Sequence, residues 1–216
     1  ADIDINKASP SDEVYAGDPA GYESPETTHY SVVDQWGNAV SVTTTINLGY
    51  GNGCVVKGAG FFLNNEMDDF SSKPGVPNVF GLVGNEANAI EPNKRPLSSM
   101  TPTIILKNNK PFLVIGSPGG STIITTVMQT ILNVVDHDMD IKEAVCAARF
   151  HSQWLPDVIQ IEPRGLAKDV IGNLELRGHK IVPRGGYIGE SNCIMIREDG
   201  IYGGGDCRGE TSAIGY

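Results

Sequence analysis

The chain has 216 residues, 40% of them apolar and 19% charged, with a net charge of −10. That length supports one sizeable core or two small ones. The acidic balance argues against nucleic acid or an anionic membrane as a partner, and the longest apolar segment, Ile123 to Val135, is too short to span a bilayer and carries Thr, Gln and Asn.

Residues 1–26 are polar, contain Asp18-Pro19 and Ser24-Pro25, and read as an extended or loop segment. The chain opens Ala1-Asp2-Ile3-Asp4, without a starting Met or a signal-peptide pattern, so a fragment or processed product is expected, with any targeting segment upstream. A hairpin follows: Tyr30 to Val33, a turn at Asp34-Gln35-Trp36-Gly37-Asn38, then Ala39 to Ile46. Residues 48–96 are irregular and rich in Gly, Asn and Pro, and so long a loop is usually functional.

A second hairpin spans Thr103 to Leu106 and Phe112 to Ile115 around Lys107-Asn108-Asn109-Lys110. It leads through Ser117-Pro118-Gly119-Gly120-Ser121 into a buried helix, Ile123 to Val135. Then come a helix near Ile141 to Ala148, a strand at Val158 to Ile161, a helix near Ala167 to Arg177 and a strand at Lys180 to Val182. A last hairpin pairs Cys193 to Ile196 with Ile201 to Gly203. Clustered hairpins with helices between them predict an α+β fold with largely antiparallel sheets.

Cys54, Cys146, Cys193 and Cys207 show no CxxC spacing, so zinc is not expected. Three pairings are open and the sequence selects none; buried free thiols are the expectation.

"ESPETTHYSVV" (Glu23 to Val33) runs from a Pro-containing loop straight into a strand. A threonine hydroxyl needs a base. At a chain N-terminus its own α-amine, with a pKa of about 8, can serve. Cleavage of Glu26–Thr27 would give Thr27 that amine on a rigid strand. Threonines open many strands, so the position alone carries little.

The surrounding motifs are more specific. "TTHYSVVDQWGNAVSVTTTIN" (Thr27 to Asn47), "LNNEMDDF" (Leu63 to Phe70), "PNKRPLSSMTPTI" (Pro92 to Ile104), "GSPGGS" (Gly116 to Ser121) and "ARFHSQWLPD" (Ala148 to Asp157) closely resemble γ-glutamyltransferases, also called γ-glutamyl transpeptidases. The resemblance covers essentially all of 27–216, which looks like the small subunit; 1–26 looks like the tail of the large one. It implies an N-terminal-nucleophile hydrolase with an αββα sandwich, present here in part. It implies self-cleavage at Glu26–Thr27, with Thr27 as nucleophile acting on glutathione and other γ-glutamyl compounds, and no cofactor or metal. The implied partners are the large subunit, a γ-glutamyl donor, and an amino acid, peptide or water acceptor. The implied location is periplasmic or secreted.

The resemblance also assigns roles. Thr45 supports Thr27 and the cleavage step. Asn47, two residues on and on the same side of the strand, binds the glutamyl amino group. Glu66, at a position that is Gln or Glu in such enzymes, and Asp69 supply the counter-charge for the α-ammonium. Asp68 serves local structure. Ser98 and Ser99 bind the α-carboxylate beside an arginine of the large subunit; Arg95 is expected in a structural salt bridge instead. Gly119 and Gly120, a Gly pair between strand and helix, form the oxyanion hole, and no Walker lysine or GxGxxG suggests phosphate.

"KPGVPNVFGLVG" (Lys73 to Gly84) matches the lid loop, with Phe80 where many members carry Tyr. Thr122 stands where Arg is common, and Cys207 where Asp-Pro-Arg is usual. His29, His137, His151 and His179 are expected to be structural. Two alternatives remain: a cephalosporin or glutaryl acylase of the same superfamily, whose substrates lack the ammonium, and an inert unprocessed fragment, in which an uncut Thr27 has no base.

Overall fold

The structure, a computed structural model, describes residues 27–153 and 156–215. The expected tail 1–26 with Glu26, and Trp154 and Leu155 of the ARFHSQWLPD motif, lie outside the described residues.

In chain order the elements are β1 (Thr28–Val33), β2 (Ala39–Thr44), β3 (Thr103–Lys107), β4 (Lys110–Gly116), α1 (Ile123–Val135), α2 (Ile141–Cys146), β5 (Phe150–His151), β6 (Ile159–Ile161), α3 (Lys168–Leu176), β7 (Ile181–Pro183), β8 (Asn192–Arg197) and β9 (Gly200–Gly205). β1 and β2 pair antiparallel, Thr28 opposite Thr44 and Val33 opposite Ala39. Asp34 sets their turn: its Oδ1 accepts the N–H groups of Trp36 and Asn38, each at 2.9 Å. β3, β4, β8 and β9 form an antiparallel sheet in that order. The β3–β4 turn has Asn108 and Asn109 at φ of 53° and 60°, the left-handed pair a tight hairpin requires.

Strand alternation separates the two faces of this sheet. Leu113 and Ile115 of β4 and Cys193 and Met195 of β8 pack with Val127 and Val134 of α1 and Ile141, Ala144 and Val145 of α2. The β1–β2 hairpin lies on the other face. There His29 sits against Gly116, where any Cβ would enter the imidazole. The Ser41 hydroxyl donates to the Ile115 carbonyl at 2.9 Å. A helix layer, a four-stranded sheet and a hairpin layer are thus stacked, as α+β predicts. β5, β6 and β7 make a small separate sheet in which β6 and β7 run parallel, the exception to the antiparallel pattern.

A second apolar stripe on α1, Ile124, Met128, Leu132 and Val135, is 40–53% exposed. A helix apolar on two sides belongs inside a larger assembly.

The cysteines depart from the expectation of free buried thiols. Cys146, at the end of α2, is disulfide-bonded to Cys207 just after β9, with Cα atoms 5.3 Å apart. Cys54 is free but exposed. Cys193 alone is a buried free thiol, and burial pushes it up to about 12. The bonded pair lies 61 residues apart in sequence, so no spacing motif could reveal it.

Beside the disulfide lies a buried charge cluster. Arg149 is 1% exposed and Asp206 3%. Arg149 Nη2 meets Asp206 Oδ2 at 2.6 Å, and Arg208 grips both Glu162 oxygens at 2.7 Å. Burial acts to raise Glu162, but the Arg208 bonds and the Ile188 and Arg149 N–H groups outweigh it and hold the carboxyl below its usual range.

Candidate active site

Continuing the β1–β2 register one step sets Thr27 opposite Thr45, at the open end of the hairpin. Both residues are half-buried. β2 stops at Thr44, one residue short of Thr45 and two short of the expected Ile46. The Thr45 hydroxyl accepts the Asn47 N–H at 2.9 Å, and Asn47 turns left-handed at φ 76°. The expectation that Thr45 and Asn47 share one side of a strand is therefore corrected: a local side-chain-to-backbone bond replaces the ladder there. Asn47 is buried, and its Nδ2 donates to the Asn65 carbonyl at 3.1 Å. Its amide oxygen meets no donor among the described residues.

Asn65 immediately precedes a short 3-10 helix, Glu66–Asp69. Burial raises the Glu66 carboxyl to about 7, helped by its hydrogen bond to Asp69 and by that residue's charge. Burial raises Asp69 as well; the Glu66 bond lowers it and the Asp68 charge raises it. Glu66 Oε1 is buried and meets no donor among the described residues. No cation is among the groups acting on either carboxyl. Two half-buried carboxyls, both raised, thus stand together where a positive charge would favour their ionised forms.

Asp69 and Ser99 line one cavity of about 140 Å³, between the acidic turn and the loop 73–84. Asn88 joins its walls: Nδ2 donates to the Asp69 carbonyl at 2.7 Å, and Oδ1 accepts the Leu97 N–H at 3.0 Å. Ser98 is exposed and its hydroxyl accepts the Met100 N–H at 3.2 Å. Loop 73–84 folds back on itself through Gly75 N–H to Gly84 O at 2.9 Å and Asn78 N–H to Leu82 O at 2.9 Å. Asp68 Oδ2 accepts the Val79 N–H at 3.3 Å, which gives Asp68 the structural role expected of it. Phe80 is half-buried, with its carbonyl accepting from Gln153 Nε2 at 3.4 Å.

Gly119 and Gly120 sit at φ 134° and 53°, between β4 and α1. Thr122 closes this turn: its N–H and hydroxyl reach the Gly119 carbonyl at 3.0 and 2.7 Å. Thr122 is thus buried and used locally. Among the described residues neither glycine N–H reaches an acceptor. His29, two residues along from Thr27, rests on Gly116 at the end of β4, so the Thr27 end of the hairpin and the glycine turn lie at the same end of the sheet stack.

His29 bonds Thr43 Oγ1 at 2.8 Å and Ser31 Oγ at 3.1 Å, and burial lowers it to about 4. It is a neutral structural group. Arg95 is exposed and makes no ion pair among the described residues, so the salt bridge expected of it is absent there. A chain of direct contacts runs from Thr45 through Asn47 and Asn65 to the acid turn, and on through Asn88 to Leu97, beside Ser98. Asn65 and Asn88 hold this path together and are not among the predicted site residues; Asn65 lies in the LNNEMDDF motif, and the signal for Asn88 is Asn in turn-rich sequence.

The stacked antiparallel sheets, with a half-buried threonine heading the hairpin, are those of the N-terminal-nucleophile hydrolase class. The γ-glutamyltranspeptidase family profile matches residues 1–216, and the chain belongs to that family. It is 55% identical over 207 residues to a glutathione hydrolase proenzyme of Escherichia coli, covering 95% of this chain and 35% of that protein. A mutant γ-glutamyltranspeptidase of Helicobacter pylori superposes with a TM-score of 0.81 at 61% identity, covering 84% of this chain and all of the other. A cephalosporin acylase of Bacillus halodurans is more distant, with a TM-score of 0.70 at 30% identity over 83% of this chain and 32% of that one. The chain spans about a third of the length of the proenzymes it matches.

Proposed function

We propose that this chain is the small, catalytic portion (27–216) of a γ-glutamyltransferase and glutathione hydrolase, preceded by the tail of its large subunit (1–26). Cleavage at Glu26–Thr27 frees the Thr27 amine. That amine takes the hydroxyl proton as Thr27 Oγ attacks the γ-carbonyl of the donor. The Gly119 and Gly120 N–H groups receive the oxyanion. The proton passes to the leaving amine, a γ-glutamyl-threonine ester remains, and water or an acceptor amine takes the acyl group. Asn47, Glu66 and Asp69 receive the donor ammonium, and Ser98 and Ser99 its carboxylate. Loop 73–84 acts as the lid, with Phe80 lacking the hydroxyl a Tyr would contribute.

The observation that carries this reading is the half-buried Glu66–Asp69 pair, without a counter-cation among the described residues and tied through Asn65 and Asn47 to Thr45. An ammonium-bearing substrate supplies the missing charge; a glutaryl substrate does not. The exposed stripe on α1 suits a large-subunit partner. The Cys146–Cys207 disulfide suits a periplasmic or secreted enzyme.

The test uses the protein expressed from its full-length gene. A new N-terminus at Thr27, lost in Thr27→Ala together with γ-glutamyl anilide hydrolysis, is the expected result. An uncut chain under native conditions removes the base and sinks the mechanism. Faster turnover of a glutaryl anilide than of the γ-glutamyl compound selects the acylase reading.

A further inference from the structure

We propose that Ile188–Ser191 is a buttress that fixes the direction of the Gly119 and Gly120 N–H groups, with Ser117 as its positioning residue; this rests on reading those glycines as the oxyanion donors. Two consecutive glycines at positive φ are conformationally soft, because neither has a Cβ to restrict it. An oxyanion site is effective only when its donors are aimed beforehand. Something outside the turn must hold it.

The 188–191 segment is placed to do so. Ser117 is fully buried; its hydroxyl donates to the Pro118 carbonyl at 2.6 Å and accepts the Glu190 N–H at 2.9 Å. Gly189, at φ 61°, lies so close that a Cβ on it would come 2.8 Å from Ser117 Oγ and would also strike Thr126 Oγ1. A Cβ on Gly119 would in turn come 3.0 Å from Gly189 Cα. The segment is itself anchored at both ends by the charge cluster. The Ile188 N–H donates to Glu162 Oε1 at 2.7 Å, and the Ile188 carbonyl accepts from Arg149 Nη1 at 2.8 Å. The Ser191 N–H donates to Asp206 Oδ2 at 2.7 Å. Ends hydrogen-bonded to the charge cluster and a glycine middle pressed on the turn make a rigid link from that cluster to the glycine turn.

Ser117→Ala removes the bridging hydroxyl with little change in volume; Gly189→Ala pushes the segment off the turn. Both are made in the enzyme expressed from its full-length gene. Three readouts are compared: kcat for γ-glutamyl anilide hydrolysis, the Kd of free glutamate, and the Kd of a boronic acid analogue of the γ-glutamyl group, whose tetrahedral adduct with Thr27 occupies the oxyanion site. The expected result is a fall in kcat of roughly tenfold or more, a boronate affinity that falls in parallel, and an unchanged glutamate Kd. A purely structural role would weaken glutamate and boronate alike, and that outcome overturns the proposal. So do variants that match the native enzyme in all three. A native enzyme that accepts neither the anilide nor the boronate overturns the underlying functional reading instead.

Discussion

Beside α2, Glu162 and Asp206 are enclosed by Arg149 and Arg208, and their hydrogen-bonding capacity is filled by those guanidiniums and by the N–H groups of Arg149, Ile188 and Ser191. In the irregular loop, no cation among the described residues acts on Glu66 or Asp69, and burial raises both. The first group is electrostatically complete within the chain. The second is balanced by no cation among the described residues, and under the proposed function the donor's ammonium would complete it. The carboxylates compensated from within brace the fold, whereas the uncompensated pair is the one to which the proposed function assigns a ligand.

Removing one partner from the complete group gives the largest expected effect. Arg149→Met leaves Asp206 buried with one guanidinium and frees the Ile188 carbonyl. Losing one member of a buried pair costs about 3–5 kcal/mol. Thermal or urea unfolding of the full-length enzyme should show that loss, and a change below about 1 kcal/mol would mean that the cluster is dispensable.

In the incomplete group the same kind of change should leave the fold intact and damage function. Asp69→Asn removes a charge that nothing in the described chain balances, so stability holds or rises. A hydrogen bond to a charged group contributes about 1.5–3 kcal/mol, so kcat/KM for a γ-glutamyl donor should fall roughly 10- to 150-fold. Turnover of a glutaryl analogue, which has no ammonium, should not change. Equal losses on both substrates would contradict the assignment of Asp69 to the ammonium.

The contrast was only partly legible in the sequence. α1 was readable to both ends, because an apolar run lies between Gly119-Gly120-Ser121 and Asp136-His137. The hairpins followed from Asp34 to Gly37, Asn108-Asn109 and Asp199-Gly200, residues whose backbone preferences act locally. The family resemblance points to Glu66 and Asp69, but no local pattern indicates that both carboxyls are raised, since that depends on how the fold packs around them. Arg149 and Arg208 are far apart in sequence, and an arginine in composition reads as surface. Strand periodicity fails past Thr44, where the Thr45 hydroxyl captures the Asn47 N–H and Asn47 turns left-handed.

The smallest effect, and the sharpest, concerns pH. Glu66 has a value of about 7 in the fold against an ordinary 4.5. Between those values the folded chain keeps a proton that the unfolded chain releases. Stability from this group is therefore full below about pH 4.5 and declines as pH rises to about 7. Glu66→Gln removes the titration. The variant and native enzymes should be equally stable near pH 4. By pH 8 the variant should be the more stable, by on the order of 1 kcal/mol once solvent screening is allowed for. Function moves the other way. As Glu66 loses its proton, the acidic turn gains a negative charge, so the native donor KM should fall as pH rises through about 7. In Glu66→Gln that step should vanish while Asp69 keeps the enzyme active. A KM step that survives in the variant would assign the titration to another group and leave the pair at Glu66 and Asp69 without a functional signature.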